Sequence, residues 1–288
     1  MRTIRTIKQV IRPQLVIEGA GVLLRRSFGP HKSNPFDPFL LFDHFAFNDP
    51  IEGPIRGFPT HPHRGIETVT YMLEGVVRHR DSLGNMGEIG PGDVQWMTSG
   101  RGILHEEMPR RGPQGTIYGF QLWVNLPARL KMSAPKYQEI SAATIPLVER
   151  DGVAARVVAG ELLGVRGPVT EIAAEPLYAD VEIAPGVEFV QSVAPDHTVL
   201  AYVFEGQGYF VDGLTNQRVK VEAVSMVEFG AGEEIRISTD TTSPLRFMLI
   251  AGAPFREPIV PYGPFVMNTV EEIQQALIDL RNGTFVQA

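Results

Sequence analysis

The sequence predicts an all-β protein of sandwich or barrel type, and three observations carry that reading. The 288 residues include 29 Gly and 23 Pro, more punctuation than a helical protein tolerates. From Thr60 onward the chain reads as short β-branched strands separated by turns. The later half echoes the earlier one, with Phe204-Glu205-Gly206 standing where Leu73-Glu74-Gly75 stands in the first, the mark of a diverged internal repeat.

Residues 1–27 alternate loosely, TIRTIKQVIR and then GVLLRRSF, and predict two short strands about a turn at Glu18-Gly19. Asn34 to Phe47 is aromatic and interrupted by Pro35 and Pro38, so it reads as a buried extended segment rather than a helix. Asn48 to Pro59 reads as a loop. IETVTYML is an alternating strand, and VVRHRDSLGNMGEI a hairpin about Leu83-Gly84-Asn85. A tight turn at Gly90-Pro91-Gly92-Asp93 introduces VQWMTS, and a Gly-rich turn at Ser99–Gly102 introduces ILHEEM. TIYGFQLWVNL adds a further apolar strand. Residues 127–150 are polar, carry Pro127, Pro135 and Pro146, and read as a crossing between domains. Strand-like segments follow: ARVVAG, PLYADVEI, TVLAYVFEGQGYFVDG, AVSMVEFG, EIRIST and LRFMLIAG. The tail predicts an amphipathic helix packed on the sandwich, with Val270, Ile273, Ala276, Leu277 and Leu280 on one face. Thr269 and Glu272 form a capping box there, and Gly283 suits the residue after the last turn.

Composition removes several function classes. With no cysteine there are no disulfides, thiolate metal sites or cysteine nucleophiles. A net charge of -7 argues against general nucleic-acid affinity. No apolar run reaches a membrane span and the start has no apolar signal core, so a cytoplasmic protein is expected. Residues 1–33 hold seven Lys and Arg against Glu18 alone. They read as edge strands with solvated basic faces, or as a transit peptide or partner-binding arm. No phosphate-binding Gly-rich loop or Ser-His-Asp pattern is present.

The chemistry concentrates between Gly57 and Pro109, which hold four of the seven histidines. His61 and His63 flank Pro62, and His105 and Glu107 flank Glu106. Residues two apart on a strand share a face, so each pair can aim two ligand atoms at one point. If the two strands are neighbours, His61, His63, His105 and Glu107 make a cage of three imidazoles and a carboxylate. Such a set suits Fe(II), Mn, Co, Ni, Cu(II) or Zn. Four ligands leave positions open on a six-coordinate ion, which favours catalysis or ligand sensing over a closed structural site. By the same alternation Glu67 falls on the metal-facing side as a partner of the ligands or a substitute ligand. His79, in Arg78-His79-Arg80-Asp81, reads as a surface residue, as do His31 and His197 in their turns. His44 is open between core and pocket. Trp96, Met97 and Met108 read as core.

His61-Pro62-His63-Arg64-Gly65, Glu67-Thr68-Val69 and GDVQWMTSGRGILHEEMP resemble the N-terminal signature of the pirins. GVLLRRSFG, DPFLLFDHF and Tyr262–Thr269 extend the likeness from about residue 18 to the end. The resemblance implies a bicupin: two jelly-roll β-barrel domains with a C-terminal α-helix. Residues 1–138 would be the metal-binding domain and 139–288 a domain lacking metal ligands. It implies one non-haem Fe(II) on His61, His63, His105 and Glu107. It also implies quercetin 2,3-dioxygenase-type activity, in which a flavonol or related phenol is opened by O2 with release of CO. Glu107 would act as ligand and as catalytic base for the flavonol 3-hydroxyl. Other pirins imply an alternative, a metal- and redox-dependent regulator that binds a transcription factor or metabolic enzyme. A monomer is expected, without direct nucleic-acid binding. The family often carries an acidic residue where His44 stands, which bears on pocket polarity.

Overall fold

A computed structural model describes residues 2–47 and 57–286. The chain forms two compact units, each assembled from two stretches. One takes Gln14–Ala142 with Phe255–Ala288, the other Met1–Pro13 with Ala143–Pro254. The sequence places a single division between residues 138 and 139 and assigns the tail to the second half. Strand pairing draws different borders. Lys136–Ile140 pairs with Val94–Thr98, which makes the expected crossing an edge strand of the first sheet. Ile7–Ile11 pairs with Ser225–Phe229, so the start of the chain completes the later barrel.

The unit built on Gln14–Ala142 stacks a seven-stranded and a four-stranded antiparallel sheet. The larger sheet runs Lys136–Ile140, Val94–Thr98, Ile66–Glu74, Ile117–Asn125, Phe39–Phe47, Val22–Phe28 and Gln14–Glu18 in spatial order. The smaller runs Phe58–His63, Ile103–Arg110, Val76–Asp81 and Met86–Ile89. The larger sheet buries side chains on both faces: Tyr71, Phe120 and Leu122 lie on one, and Leu24 and Leu41 on the other with Gln121 and Trp123. The expected loop from Asn48 lies outside the described residues up to Arg56, and its last residues belong to the strand Phe58–His63.

The other unit is a ten-stranded sheet folded on itself. Its strand Thr198–Val211 pairs with Ser225–Phe229 through Val199–Val203 and with Arg218–Glu222 through Gln207–Val211. The bend falls at Glu205-Gly206, where Gly206 has φ 72°. Gly75, with φ 78°, divides Ile66–Glu74 from Val76–Asp81 in the same way. The Glu-Gly repeat seen in the sequence is therefore a repeated left-handed corner, which glycine adopts without strain. The interior of this unit is filled by Val181, Phe189, Val199, Phe210, Phe247 and their neighbours. It offers a core and no cluster of metal-ligating groups among the described residues.

The tail returns to the first unit. Val260–Tyr262 and Phe265–Met267 form a small hairpin, followed by the helix Val270–Asn282. The helix has the expected capping box at Thr269 and Glu272, and Gly283 closes it at φ 71°. Ile273 and Ala276 are buried against Phe265, Met267 and Phe285, whereas Val270 and Leu280 of the expected apolar face are exposed. Two buried cations hold this tail. Lys131 Nζ donates to the carbonyls of Val266 and Gly65 and to Asn125 Oδ1, at 2.6, 2.9 and 2.6 Å. Arg64 pairs with Asp279 at 2.7 Å and lies over the Phe285 ring.

Candidate metal centre

The two strands that carry the histidine pairs are hydrogen-bonded neighbours. His105 faces His61 directly across the ladder, and Ile103 faces His63. The register shifts between His105 and Glu107, so a bulge lies inside the second pair. His61, His63 and His105 gather so that one nitrogen of each lies within 4.8 Å of the other two. Among the described residues no other group of three ligating side chains is this tight.

Hydrogen bonds fix the tautomers of two of the rings. Pro59 O lies 2.9 Å from His61 Nδ1, and Pro264 O lies 3.2 Å from His63 Nδ1. A carbonyl only accepts, so both Nδ1 atoms carry the proton. In the neutral rings both Nε2 atoms then present lone pairs, and they stand 3.1 Å apart. Two lone pairs at that distance repel unless a cation lies between them. Nitrogens at neighbouring positions of an octahedral ion with bonds of ~2.1 Å would be ~3.0 Å apart. Burial, with His61 adjacent, lowers the His63 pKa to about 3, and burial with the neighbouring histidines holds His105 well below the ordinary imidazole range. Both are therefore neutral, the form that ligates. His105 is 1% exposed and neither of its nitrogens has a hydrogen-bond partner in the protein. Buried orphan nitrogens are costly, and a bound divalent ion would satisfy one of them. The residues fit a metal.

Glu107 is buried and stands beside this trio, outside the 4.8 Å set. Its carboxylate accepts from Gln121 Nε2 at 3.1 Å and from Thr70 Oγ1 at 3.3 Å. With His61 and His63 it lines a cavity of about 490 Å³ that also includes Leu24, Leu41, Phe58 and Trp123. Part of the wall is charged. Arg26 grips Asp43 through Nε and Nη2 at 2.8 and 2.7 Å and reaches Glu18 through Nη1 at 2.7 Å.

Several other expectations change. Glu67 does not line the cavity; its carboxylate accepts from Thr98 Oγ1 at 2.8 Å and Trp96 Nε1 at 3.3 Å. The turn at Gly65, φ 81°, separates its strand from that of His63, and the alternation does not carry across it. His79 is buried rather than on the surface. Its ring stacks on Tyr137 at 4.7 Å and lies 5.3 Å from His105. His44 is a buried ring packed on Tyr118 and Phe120. Burial, with Arg25 contributing, lowers its pKa to about 3. Trp96 and Met97 are core, but Met108 is 38% exposed. Gln121 and Trp123 were not foreseen at the site, although their spacing within one strand places them on a single face. The Pro264 carbonyl had no signal at all, since any residue presents one.

Two jelly-roll barrels in one chain, one carrying a ligating histidine cluster, define a bicupin. Family models agree: residues 21–124 match the pirin model and residues 178–286 the pirin C-terminal cupin domain. The chain belongs to the pirin family. It is 44% identical over 284 residues to a pirin-like protein of Caulobacter vibrioides, covering 98% of this chain and 99% of the relative. It is 43% identical to human pirin over 266 residues, covering 92% and 88% of the two chains. Among solved structures, a quercetin 2,3-dioxygenase from Acinetobacter baumannii superposes with a TM-score of 0.86 at 34% identity, covering 98% of each chain.

Proposed function

We propose that this chain is a non-haem iron dioxygenase that opens flavonols such as quercetin with O2 and releases CO. The observation that carries the reading is the cavity of about 490 Å³ into which His61, His63 and Glu107 face. That volume lies in the range of small-molecule sites, which are mostly apolar with a few converging polar groups. Leu24, Leu41, Phe58 and Trp123 suit a planar aromatic ring, and Glu107 and Gln121 supply polar groups beside the histidines. His61, His63, His105 and Glu107 would hold the ion. The likeness to a quercetin 2,3-dioxygenase supports the same reaction class.

A bound Fe(II) supplies a Lewis-acidic, redox-active centre at which a phenolic oxygen can be polarised. Glu107 would take the proton of the flavonol 3-hydroxyl, and the resulting anion would be electron-rich enough to react with O2. Both atoms of O2 enter the ester product, and one ring carbon leaves as CO. The cavity wall orients the rings and limits water.

The test is anaerobic loading with Fe(II), then quercetin and air, with flavonol absorbance and CO followed together. The expected result is CO equal to flavonol consumed over many turnovers, absent in His63→Ala. Glu107→Gln should lose turnover even at Fe(II) concentrations high enough to fill its weakened site. Iron-loaded protein that yields no CO would overturn the activity and leave the metal- and redox-dependent regulator.

A further inference from the structure

Gln121 and Trp123 lie on the same face of the strand Ile117–Asn125 and both reach the cavity. Trp123 Nε1 donates to Gln121 Oε1 at 3.1 Å. An indole nitrogen can only donate, so this contact decides which end of the Gln121 amide is oxygen. The amide flipped end for end would set N–H against N–H. Gln121 must therefore turn Nε2 the other way, toward Glu107 Oε2 at 3.1 Å and Oε1 at 3.4 Å. The same Nε2 lies 3.4 Å from Thr70 Oγ1, which in turn donates to Glu107 Oε1. One fixed donor thus orients a second, and the second orients the carboxylate beside the histidines.

We infer that Gln121 is a positioning residue for the metal centre, locked in orientation by Trp123, and that it sets how the Glu107 carboxylate meets the ion. The inference rests on the reading of His61, His63, His105 and Glu107 as ligands. It does not depend on the substrate or on turnover. The contacts are long for hydrogen bonds to an ionised group. They hold the carboxylate without competing strongly with an ion for its lone pairs. Oε1 keeps Thr70 as a second donor, whereas Oε2 is held by the Gln121 amide, so loss of that amide frees Oε2 to rotate. Trp123 also packs edge-on against the His63 ring at 5.1 Å, a contact that phenylalanine can keep while the N–H is lost.

The full chain would be titrated with Co(II) under argon, reading both the dissociation constant and the visible ligand-field bands. The proteins are wild type, Gln121→Leu, Trp123→Phe and the double variant. Gln121→Leu should weaken Co(II) binding by about 10–100-fold and shift the bands, as loss of a partner to a metal ligand generally does. Trp123→Phe should move both readouts the same way by a smaller factor. Because Trp123 acts through Gln121, the double variant should match Gln121→Leu alone rather than add to it. A folded Gln121→Leu whose dissociation constant stays within about twofold of wild type, with unchanged bands, would overturn the inference. So would additive effects in the double variant. If Gln121→Leu does not fold, Trp123→Phe decides alone, and unchanged bands in it overturn the inference. Wild type that takes up no Co(II) would sink the ligand reading itself, and this inference with it.

Discussion

Glu67 offers a test in which stability and metal binding should separate. The residue is 4% exposed, and burial raises its pKa from 4.5 to about 7 against the opposing hydrogen bonds from Thr98 and Trp96. A carboxyl whose folded pKa lies above its unfolded value is favoured in the fold while protonated. That stability is fully present below pH 4.5 and is lost as pH rises through about 7. A displacement from 4.5 to about 7, at 1.36 kcal/mol per unit, makes the loss about 3 kcal/mol. Glu67→Gln removes the charge and keeps the shape. Its amide oxygen can accept from Trp96 while its nitrogen donates to the Thr98 hydroxyl, so no buried group is orphaned. The variant should therefore match wild type near pH 4.5 and exceed it by up to about 3 kcal/mol at pH 8. The chain has two tryptophans, Trp96 and Trp123, both in the unit that holds Glu67, so urea unfolding by tryptophan fluorescence reads that unit alone. A difference between the two proteins that does not change between pH 4.5 and 8 would refute the reasoning. The variant should also keep its metal, because its side chain is engaged by Trp96 and Thr98 away from the histidines.

Three further outcomes can be checked on the same protein. A divalent ion at about 100 times its dissociation constant should raise unfolding free energy by about 2.7 kcal/mol, and a chelator should reverse this. His63→Ala should abolish the shift in a thermal melt. Asp279→Ala leaves the buried Arg64 guanidinium without its carboxylate and should cost about 3 kcal/mol, read as a lower urea midpoint. Thr269→Ala removes the helix cap and should cost about 1 kcal/mol in the same assay.

The strands of this protein were legible because β-branched runs and Gly-Pro turns alternate along the chain, and side chains two apart share a face of the sheet. The histidine trio was legible for the same reason, since His61 and His63 share a face in one strand and His105 faces His61 from the next. Alternation stops at the Gly65 turn and so does not place Glu67, and the charged neighbours Arg78 and Arg80 do not mark His79 as a surface residue. Those neighbours point the other way on the same strand, while His79 is buried against Tyr137. The unit borders were hidden because Ile7–Ile11 and Lys136–Ile140 look like any short strand; only their pairing partners decide where they belong.

The hydrogen bond from His63 to the Pro264 carbonyl spans 201 residues of chain. On a ribosome adding about 5–20 residues per second, the partner of that imidazole is made roughly 10–40 s after the histidine itself. For most of that interval, from the synthesis of His105 onward, His61, His63 and His105 exist while the group that fixes the His63 tautomer does not. The proton position of the His63 ring is therefore set by a stretch of chain made long after the ring itself. Only a chain translated far enough to lay Val260–Met267 against Arg64 and Lys131 has a finished site.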